Sequence, residues 1–476
     1  MYKVDFKSPC HVHFIGIGGI SMSGLAEILI KEGFTVTGSD IEKARGSETI
    51  HLLQDKGVKI YFGQVAENLI QEPGTALVVY TAAISSDNEE LLYAKSQNIP
   101  LLTRAELLGQ IMENYRYSIA VAGTHGKTTT TSMVSYVLDE AKKDPTISIG
   151  GMLELIGGNI RVGSSPYFVT EACEYTNSYH AFNPLISIIL NIDNDHLDFF
   201  HNIENIAKSF ATFATKVKDG GILIVNGDME YTAMIKEAVA GRNIQVVTFG
   251  LLDSNDYQAR NIELNGAGHP SYDLYHNGTF RCRISLKVTG EHNAVNSLSV
   301  IAAADFLSIS EEAIKNGFEN CKSANRRFQL KGTYAGTSDK PLKDGVTVVD
   351  DYAHHPTEIA ATLKVANSVK KGELWVAFQP HTYSRTYAHL EEFIDALSVC
   401  DHVLLADIYA ARELDDGKVS SRDIEEGLKK KGCDAVYLGS YENIKKYFKQ
   451  HCSNNDLFIT MGAGPIDFVG DSLLSD

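Results

Sequence analysis

The sequence predicts an α/β protein of three domains: an N-terminal Rossmann-like domain, a central P-loop-type ATPase domain with a mostly parallel sheet, and a C-terminal Rossmann-like domain. Three observations carry this reading. The 476 residues amount to roughly three domains of about 150 residues each. Short apolar runs alternate with amphipathic stretches, the pattern of parallel strands joined by crossover helices. Polar clusters follow the apolar runs, at 16–19, 123–129, 191–198, 350–356, 379–386, 407–413 and 462–464, and in open α/β sheets ligands bind beyond the carboxyl ends of strands.

Strands are expected at 11–17, 77–82, 118–122, 167–170, 185–192, 222–225, 245–249, 346–349, 374–378, 403–406, 435–438 and 457–460. Amphipathic helices are expected at 22–31, 128–142 and 387–397, with a long helical region at 293–320. Residues 114–117 precede a strand that leads into a second Gly-rich loop, and residues 322–331 are basic and polar. Cuts there give domains 1–115, 116–324 and 325–476.

Composition narrows the function. Asp plus Glu number 60 against 43 Lys plus Arg, a net charge of −17. Such a chain is a poor general binder of nucleic acid or of an anionic membrane. An anionic ligand is bound only where local amides and a few cations overcome the global field. The seven cysteines (Cys10, Cys173, Cys282, Cys321, Cys400, Cys433, Cys452) are scattered and none forms C-x-x-C. Neither a zinc knuckle nor a disulfide framework is expected, and the set suits a reducing cytoplasm. No apolar run is long enough to span a membrane, and the stretch before Gly16 lacks the apolar core of a signal peptide.

The first loop, Gly16-Ile17-Gly18-Gly19-Ile20-Ser21, follows a strand and resembles a dinucleotide fingerprint with Ser21 in place of the third glycine. Asp40 lies 24 residues past Gly16, near where an acid meets a ribose. A nucleotide diphosphate fits here, NAD being one candidate; a structural βα turn is the plainer alternative. The second loop is the strongest signal: Gly123, Thr124, His125, Gly126, Lys127, Thr128 and Thr129 close a β-rich strand and open a helix. Glycines let successive N–H groups turn inward around phosphate, and the helix N-terminus adds positive potential. Lys127 would reach the β- and γ-phosphates and Thr128 would ligate Mg²⁺. The loop is shorter than the strict Walker pattern, and a tight turn with a surface lysine is the alternative.

Glu171 and Glu174 follow the strand at 167–170, and Asn191-Ile192-Asp193-Asn194-Asp195-His196-Leu197-Asp198 follows the next strong one. Parallel neighbouring strands would bring these ends together, and a carboxylate with an imidazole beside a phosphate loop suits Mg²⁺. Gly290-Glu291-His292-Asn293-Ala294-Val295-Asn296 opens a helix, where Asn side chains either cap it or read an adenine edge. Arg326-Arg327-Phe328 places guanidiniums at a domain junction, where they serve as surface charge or as a clamp on a transferring phosphoryl group. Asp350-Asp351-Tyr352-Ala353-His354-His355-Pro356 ends a buried strand.

These motifs, in this order, resemble the Mur ligases of bacterial peptidoglycan synthesis over essentially the whole chain. The landmarks are the phosphate loop, the Glu171 and His196 pair, the G-x-H-N-x-x-N segment, and Arg327 with Asp351. Within the family the chain looks most like the branch that joins L-alanine to UDP-N-acetylmuramate. The branch features are the opening loop, the run from Asp351 to Pro356, and Phe378-Gln379-Pro380-His381-Thr382-Tyr383-Ser384-Arg385-Thr386. The branch that recycles a murein tripeptide usually differs at 379–386. Ser21, Cys173-Glu174-Tyr175 and Pro465 depart from the commoner family pattern.

The resemblance implies roles. ATP phosphates fall to Lys127 and the loop amides, one Mg²⁺ to Thr128 and Glu171, and the other to His196. Adenine and ribose fall to His292, Asn293 and Asn296, and Arg327 with Asp351 form a nucleotide clamp. Gly16, Gly18 and Gly19 would hold the substrate diphosphate, with Ser39, Asp40 and Glu174 also at the substrate. Tyr352, His354, His381, Arg385 and Thr386 would form the amino-acid end. His354 is the expected proton acceptor, closure of the C-terminal domain would exclude water, and the enzyme would be a monomer or homodimer. An NAD-dependent oxidoreductase would leave 123–129 idle. A P-loop switch would hydrolyse ATP without an acceptor.

Overall fold

The computed structural model describes residues 2–475 apart from 82, 323, 412 and 416. Ala82, the end of the strand expected at 77–82, Ser323 in the basic stretch 322–331, and Arg412 in the cluster 407–413 therefore lie outside the described residues. The chain forms two compact units. One holds the residues up to Ile192 with 207–249 and 299–317; the other holds 193–206, 250–298 and the residues from Phe318 on.

In the first unit, five parallel strands run in the order Lys59–Phe62, Thr35–Asp40, His11–Ile15, Thr75–Tyr80 and Leu101–Thr103. Strands are added first on one side of His11–Ile15 and then on the other. Its carboxyl end is thus a topological switch point, the place where such sheets take ligands, and the loop 16–19 occupies it. The same unit carries a second sheet in the order Gln245–Gly250, Ile222–Asn226, Ile186–Ile189, Tyr117–Ala122, Tyr167–Ala172, Thr146–Leu153 and Gly158–Arg161. All neighbours are parallel except the last pair. Tyr117–Ala122, apolar and buried on both faces as parallel strands are, lies centrally. It separates Tyr167–Ala172 from Ile186–Ile189. The expectation that these two are neighbours is therefore corrected: each flanks the strand that feeds the phosphate loop.

In the second unit, Tyr257–Leu264, Pro270–His276 and Thr279–Ser285 form an antiparallel ribbon. A six-stranded sheet runs Gln329–Gly336, Pro341–Asp351, Leu457–Met461, Leu374–Phe378, His402–Ala406 and Asp434–Gly439, parallel except for the first pair. Leu374–Phe378 and Leu457–Met461 are wholly buried, which is why both read as continuous apolar runs. Their carboxyl ends and that of Pro341–Asp351 gather the polar clusters of this unit on one edge.

Two helical expectations are corrected. The region at 293–320 is two helices, Glu291–Phe306 and Glu311–Asn320. Between them Ser308 takes a left-handed φ of 55° and the Ile309 N–H reaches back to the Ala304 carbonyl, a glycine-type helix ending at a serine. The helix expected at 387–397 is Tyr383–Ala388 and Leu390–Leu397, broken where His389 leaves helical dihedrals. No helix among the described residues is long and apolar enough to cross a membrane.

Candidate functional site

The loop 123–129 is shaped by its glycines. Gly126, at φ 82°, precedes the helix Lys127–Glu140. Gly123 sits at φ 148°, where a Cβ would lie 2.9 Å from the Leu190 Cβ, so no side chain fits. Asn191, from the end of the adjoining strand, staples the loop. Its Oδ1 accepts the His125 N–H at 2.7 Å, its Nδ2 donates to the His125 carbonyl at 2.9 Å, and its carbonyl accepts the Thr124 N–H. Lys127 Nζ donates to the Gly123 carbonyl, to the Thr124 carbonyl at 3.0 Å and to Glu174 Oε2 at 3.0 Å. Burial works against the ammonium, but the Glu174 carboxylate, supported by Glu171, outweighs it and raises Lys127 above its ordinary pKa. Glu171 lies beside Val121 in the strand register, and its Oε1 accepts the Gly150 N–H at 2.7 Å. Thr128 and Thr129 are buried in the first helical turn. Lys127, Glu171 and Glu174 are thus brought together at one sheet edge.

At the other sheet of this unit, Gly16 takes φ 82° and Gly18 donates its N–H to Asp40 Oδ2 at 2.7 Å. Gly19 ends the turn by donating to the Gly16 carbonyl and precedes the helix Ile20–Lys31. Asp40 therefore ties the loop to its neighbouring strand. A Cβ on Gly18 would meet that carboxylate at 2.9 Å. Ser39 does not present its side chain to a ligand: it is fully buried and its hydroxyl donates to Glu90 Oε2. Glu90, itself fully buried, also accepts from Asn68 Nδ2 at 2.9 Å and meets His13 Nε2 at 3.1 Å. The other His13 nitrogen lies 2.9 Å from the Thr37 hydroxyl. A buried carboxylate needs such donors, and these join two strands to the helices Ala66–Ile70 and Glu89–Ser96. Sequence reading missed Glu90, which shows no motif.

In the second unit, Arg326 and Phe328 adopt left-handed φ of 62° and 47°, conformations that persist only where surroundings over-determine them. Here they are. Arg326 Nε donates to Asp350 Oδ2 at 2.8 Å and Nη2 to the Gly462 carbonyl at 2.7 Å. Phe328 N–H donates to Asp351 Oδ2 at 2.7 Å, and the other Asp351 oxygen accepts the Ala353 N–H. Arg326 is anchored by these bonds, and the guanidiniums of Arg326 and Arg327 both lie over the Tyr352 ring, 5.2 and 5.3 Å from its centroid. Burial pushes the Asp351 carboxyl up to about 6 against the opposing pull of Arg327.

The same unit holds an arginine–carboxylate–histidine cluster. Arg385 Nη2 and Nε both donate to Asp195 Oδ1, at 2.8 and 3.2 Å, and Nη1 lies 3.0 Å from His381 Nδ1. His354 packs edge-on against His381, ring centroids 5.7 Å apart, with its Nδ1 3.1 Å from the Tyr352 carbonyl. Burial disfavours the Asp195 charge, but Arg385, then His196 and His354, hold its carboxyl far below the usual range. Burial takes His354 and His381 down to about 4, with Arg385 adding to the shift in both. Both imidazoles are therefore neutral at pH 7. Thr386 is fully buried and its hydroxyl donates to the Thr382 carbonyl, so it braces the turn rather than facing a ligand. Asp195 was absent from the expected site set, although it sits next to His196 in an acidic run.

His196 takes a left-handed φ of 52° before the short helix Leu197–Phe200. Its N–H donates to Asp195 Oδ1 at 2.8 Å. At the start of Glu291–Phe306, His292 is exposed, while Asn293 and Asn296 are buried. Asn293 Nδ2 donates to the Thr289 carbonyl at 2.7 Å, a helix-start bond, whereas its buried Oδ1 has no hydrogen-bond partner among the described residues. Asn293 thus ties the helix start to the preceding loop through its amide nitrogen, does not cap the helix N–H groups, and leaves its amide oxygen as an open acceptor.

Comparison with known proteins matches three successive segments of the chain. Residues 11–116 match the model of the Mur ligase family catalytic domain, 121–304 the Mur ligase middle domain, and 326–464 the Mur ligase glutamate ligase domain. The chain is 50% identical over 474 residues to the UDP-N-acetylmuramate–L-alanine ligase of Agathobacter rectalis, covering 100% of both chains. It is 51% identical to the protein of the same name from Lachnospira eligens, again over 100% of both. Among solved structures, the UDP-N-acetylmuramate-alanine ligase of Thermotoga maritima superposes with a TM-score of 0.79 at 28% identity, covering 98% of each chain. A murein peptide ligase from Psychrobacter arcticus shares the fold, with a TM-score of 0.68 at 24% identity over 98% of each chain. With full-length identity at that level and family models matched in the same order along the sequence, this chain belongs to the Mur ligase family.

Proposed function

We infer that this chain is an ATP-dependent ligase that joins L-alanine to the lactyl carboxylate of UDP-N-acetylmuramate, giving ADP and phosphate, in peptidoglycan precursor synthesis. The observation that carries this is the phosphate loop around Lys127, in a chain that shares half its residues, end to end, with ligases of that name. A carboxylate does not react with an amine at neutral pH. Phosphorylation by ATP makes it an acyl phosphate, which the free amine of L-alanine attacks to give a tetrahedral intermediate that expels phosphate. The first step joins two anions, so cations must offset their repulsion.

The residues present suit that ligand. The loop 123–129 takes its turn because Gly123 sits where a Cβ would meet Leu190 and Gly126 adopts a left-handed φ of 82°, and such a turn points successive N–H groups at a phosphate. Lys127 holds backbone carbonyls and Glu174 in the place a phosphate would compete for. The open Asn293 Oδ1 is an acceptor for an exocyclic amino group of a base, with His292 and Asn296 on the same helix start. Thr128 and Glu171 supply oxygen donors that would hold one Mg²⁺ and His196 an imidazole that would hold the other, and such charge neutralises phosphate oxygens. Arg327 stabilises charge on the transferring group and Asp351, with Phe328, fixes its approach. Gly16, Gly18, Gly19 and Asp40 form the diphosphate turn. Tyr352, His354, His381 and Arg385 form the amino-acid end, where Arg385 meets the alanine carboxylate. Ser39 and Thr386 support these surfaces from behind.

The three sheets support domain limits at 1–115, 116–324 and 325–476, and the enzyme acts in the cytoplasm as a monomer or homodimer. The test is coupled phosphate release with UDP-N-acetylmuramate and a panel of acceptors. Release that needs both UDP-N-acetylmuramate and L-alanine is the expected result. Release driven by a murein tripeptide instead would assign the chain to the recycling branch, and release without any acceptor would refute ligation.

A further inference from the structure

Arg104 begins the helix Arg104–Glu113, whose start is already satisfied by a capping box between Thr103 and Glu106. The arginine is therefore not needed to form the helix. Its side chain is partly withdrawn from water, yet among the described residues its one hydrogen bond runs from Nη1 to Ser21 Oγ, at 3.0 Å, and no carboxylate pairs with it. Glu106 is held by Thr103, and Glu174 by Lys127. A guanidinium stays ionised in a protein and carries five N–H donors. Holding it partly buried with no carboxylate partner is costly, and desolvation does work against its charge. Its surroundings are informative: on one side Ser21, which closes the 16–21 turn, and within electrostatic reach Cys173, the residue next to Glu174.

Resting on the ligase reading above, we propose that Arg104 is an anion-binding residue of the UDP-sugar site, taking the diphosphate or the lactyl carboxylate of the substrate. Either group is a planar or forked oxygen set that a guanidinium bonds in bidentate fashion. Ser21 orients the fork by accepting one of its N–H groups. The serine that stands where the dinucleotide fingerprint has its third glycine thereby has a task of its own.

The test uses the full-length enzyme with Arg104→Met and Arg104→Lys. Affinities for UDP-N-acetylmuramate, UDP-N-acetylglucosamine and ATP are measured by calorimetry, together with the melting temperature. Arg104→Met should bind UDP-N-acetylmuramate roughly ten- to a hundredfold more weakly, the scale of a lost charged hydrogen-bond pair, with ATP affinity unchanged. Its melting temperature should hold, since Arg104 is only partly buried and pairs with no carboxylate among the described residues. Arg104→Lys should recover only part of the affinity. Equal losses for both sugar nucleotides assign Arg104 to the diphosphate; a loss confined to UDP-N-acetylmuramate assigns it to the lactyl carboxylate. Unchanged sugar-nucleotide affinity in Arg104→Met overturns the proposal, as does a fall in melting temperature with equal loss of ATP affinity. A wild-type enzyme that neither binds UDP-N-acetylmuramate nor releases phosphate with it would instead overturn the ligase reading itself.

Discussion

Replacing Lys127 tests the phosphate loop and its resting partner together. The Lys127 side chain is 16% exposed and that of Glu174 3%, so the pair sits in a low-dielectric setting. Lys127→Met leaves the Glu174 carboxylate buried without its cation, a cost of about 3–5 kcal/mol. Glu174→Gln is milder, about 1–2 kcal/mol, because the ammonium keeps the Gly123 and Thr124 carbonyls. In the double variant neither charge remains, so the double should be more stable than Lys127→Met alone by about 2 kcal/mol or more, a coupling of the kind a double-mutant cycle isolates. Fluorescence-monitored urea unfolding of the four proteins gives that cycle. Ligation should vanish in both lysine variants. Glu174→Gln should bind ATP at least as tightly as wild type, since the phosphates no longer compete with a carboxylate for the ammonium. A double variant no more stable than Lys127→Met would show that Glu174 does not depend on Lys127, and this account of the loop would fail.

Two further outcomes follow from the same geometry. Folding lowers His354 and His381 from about 6.5 to about 4, so their protonation opposes the fold. Stability is full above about pH 6.5, declines as pH falls toward 4, and the imidazole resonances in an NMR titration should move only below about pH 5. Gly123→Ala places a Cβ 2.9 Å from Leu190 at φ 148°; it should abolish ATP binding in calorimetry and cost about 1–3 kcal/mol of stability in the same urea assay.

Much of the fold was legible because parallel strands buried on both faces write themselves as apolar runs. Leu374–Phe378 matches its expected limits, and Tyr117–Ala122 begins one residue early. Strands such as Thr35–Asp40, built from Thr, Gly, Ser and Asp between the valine and the strand end, carry no such run and were missed. So was the half-exposed antiparallel ribbon, whose residues alternate in burial. At the site, the glycine loops were readable because their function is a backbone requirement. Arg326 and Arg327 are indistinguishable as letters; only the bonds of Arg326 to Asp350 and Gly462 set it apart as the anchor. Asn191 is likewise an ordinary strand-end residue until the sheet order places it beside the loop at His125. Ser39 and Thr386 carry the right chemistry in the right stretch, but the pleat and the helix turn their side chains inward.

The Glu90 assembly bears on how this protein can change over generations. His13, Ser39 and Asn68 come from three separate segments, and Glu90 from a fourth, yet all three satisfy the one buried Glu90 carboxylate. Altering any one leaves the rest mismatched, while exchanging all four for an apolar set removes the mismatch. Single substitutions in this group should therefore be disfavoured in every lineage, and change there should arrive as rare concerted replacements rather than by gradual drift.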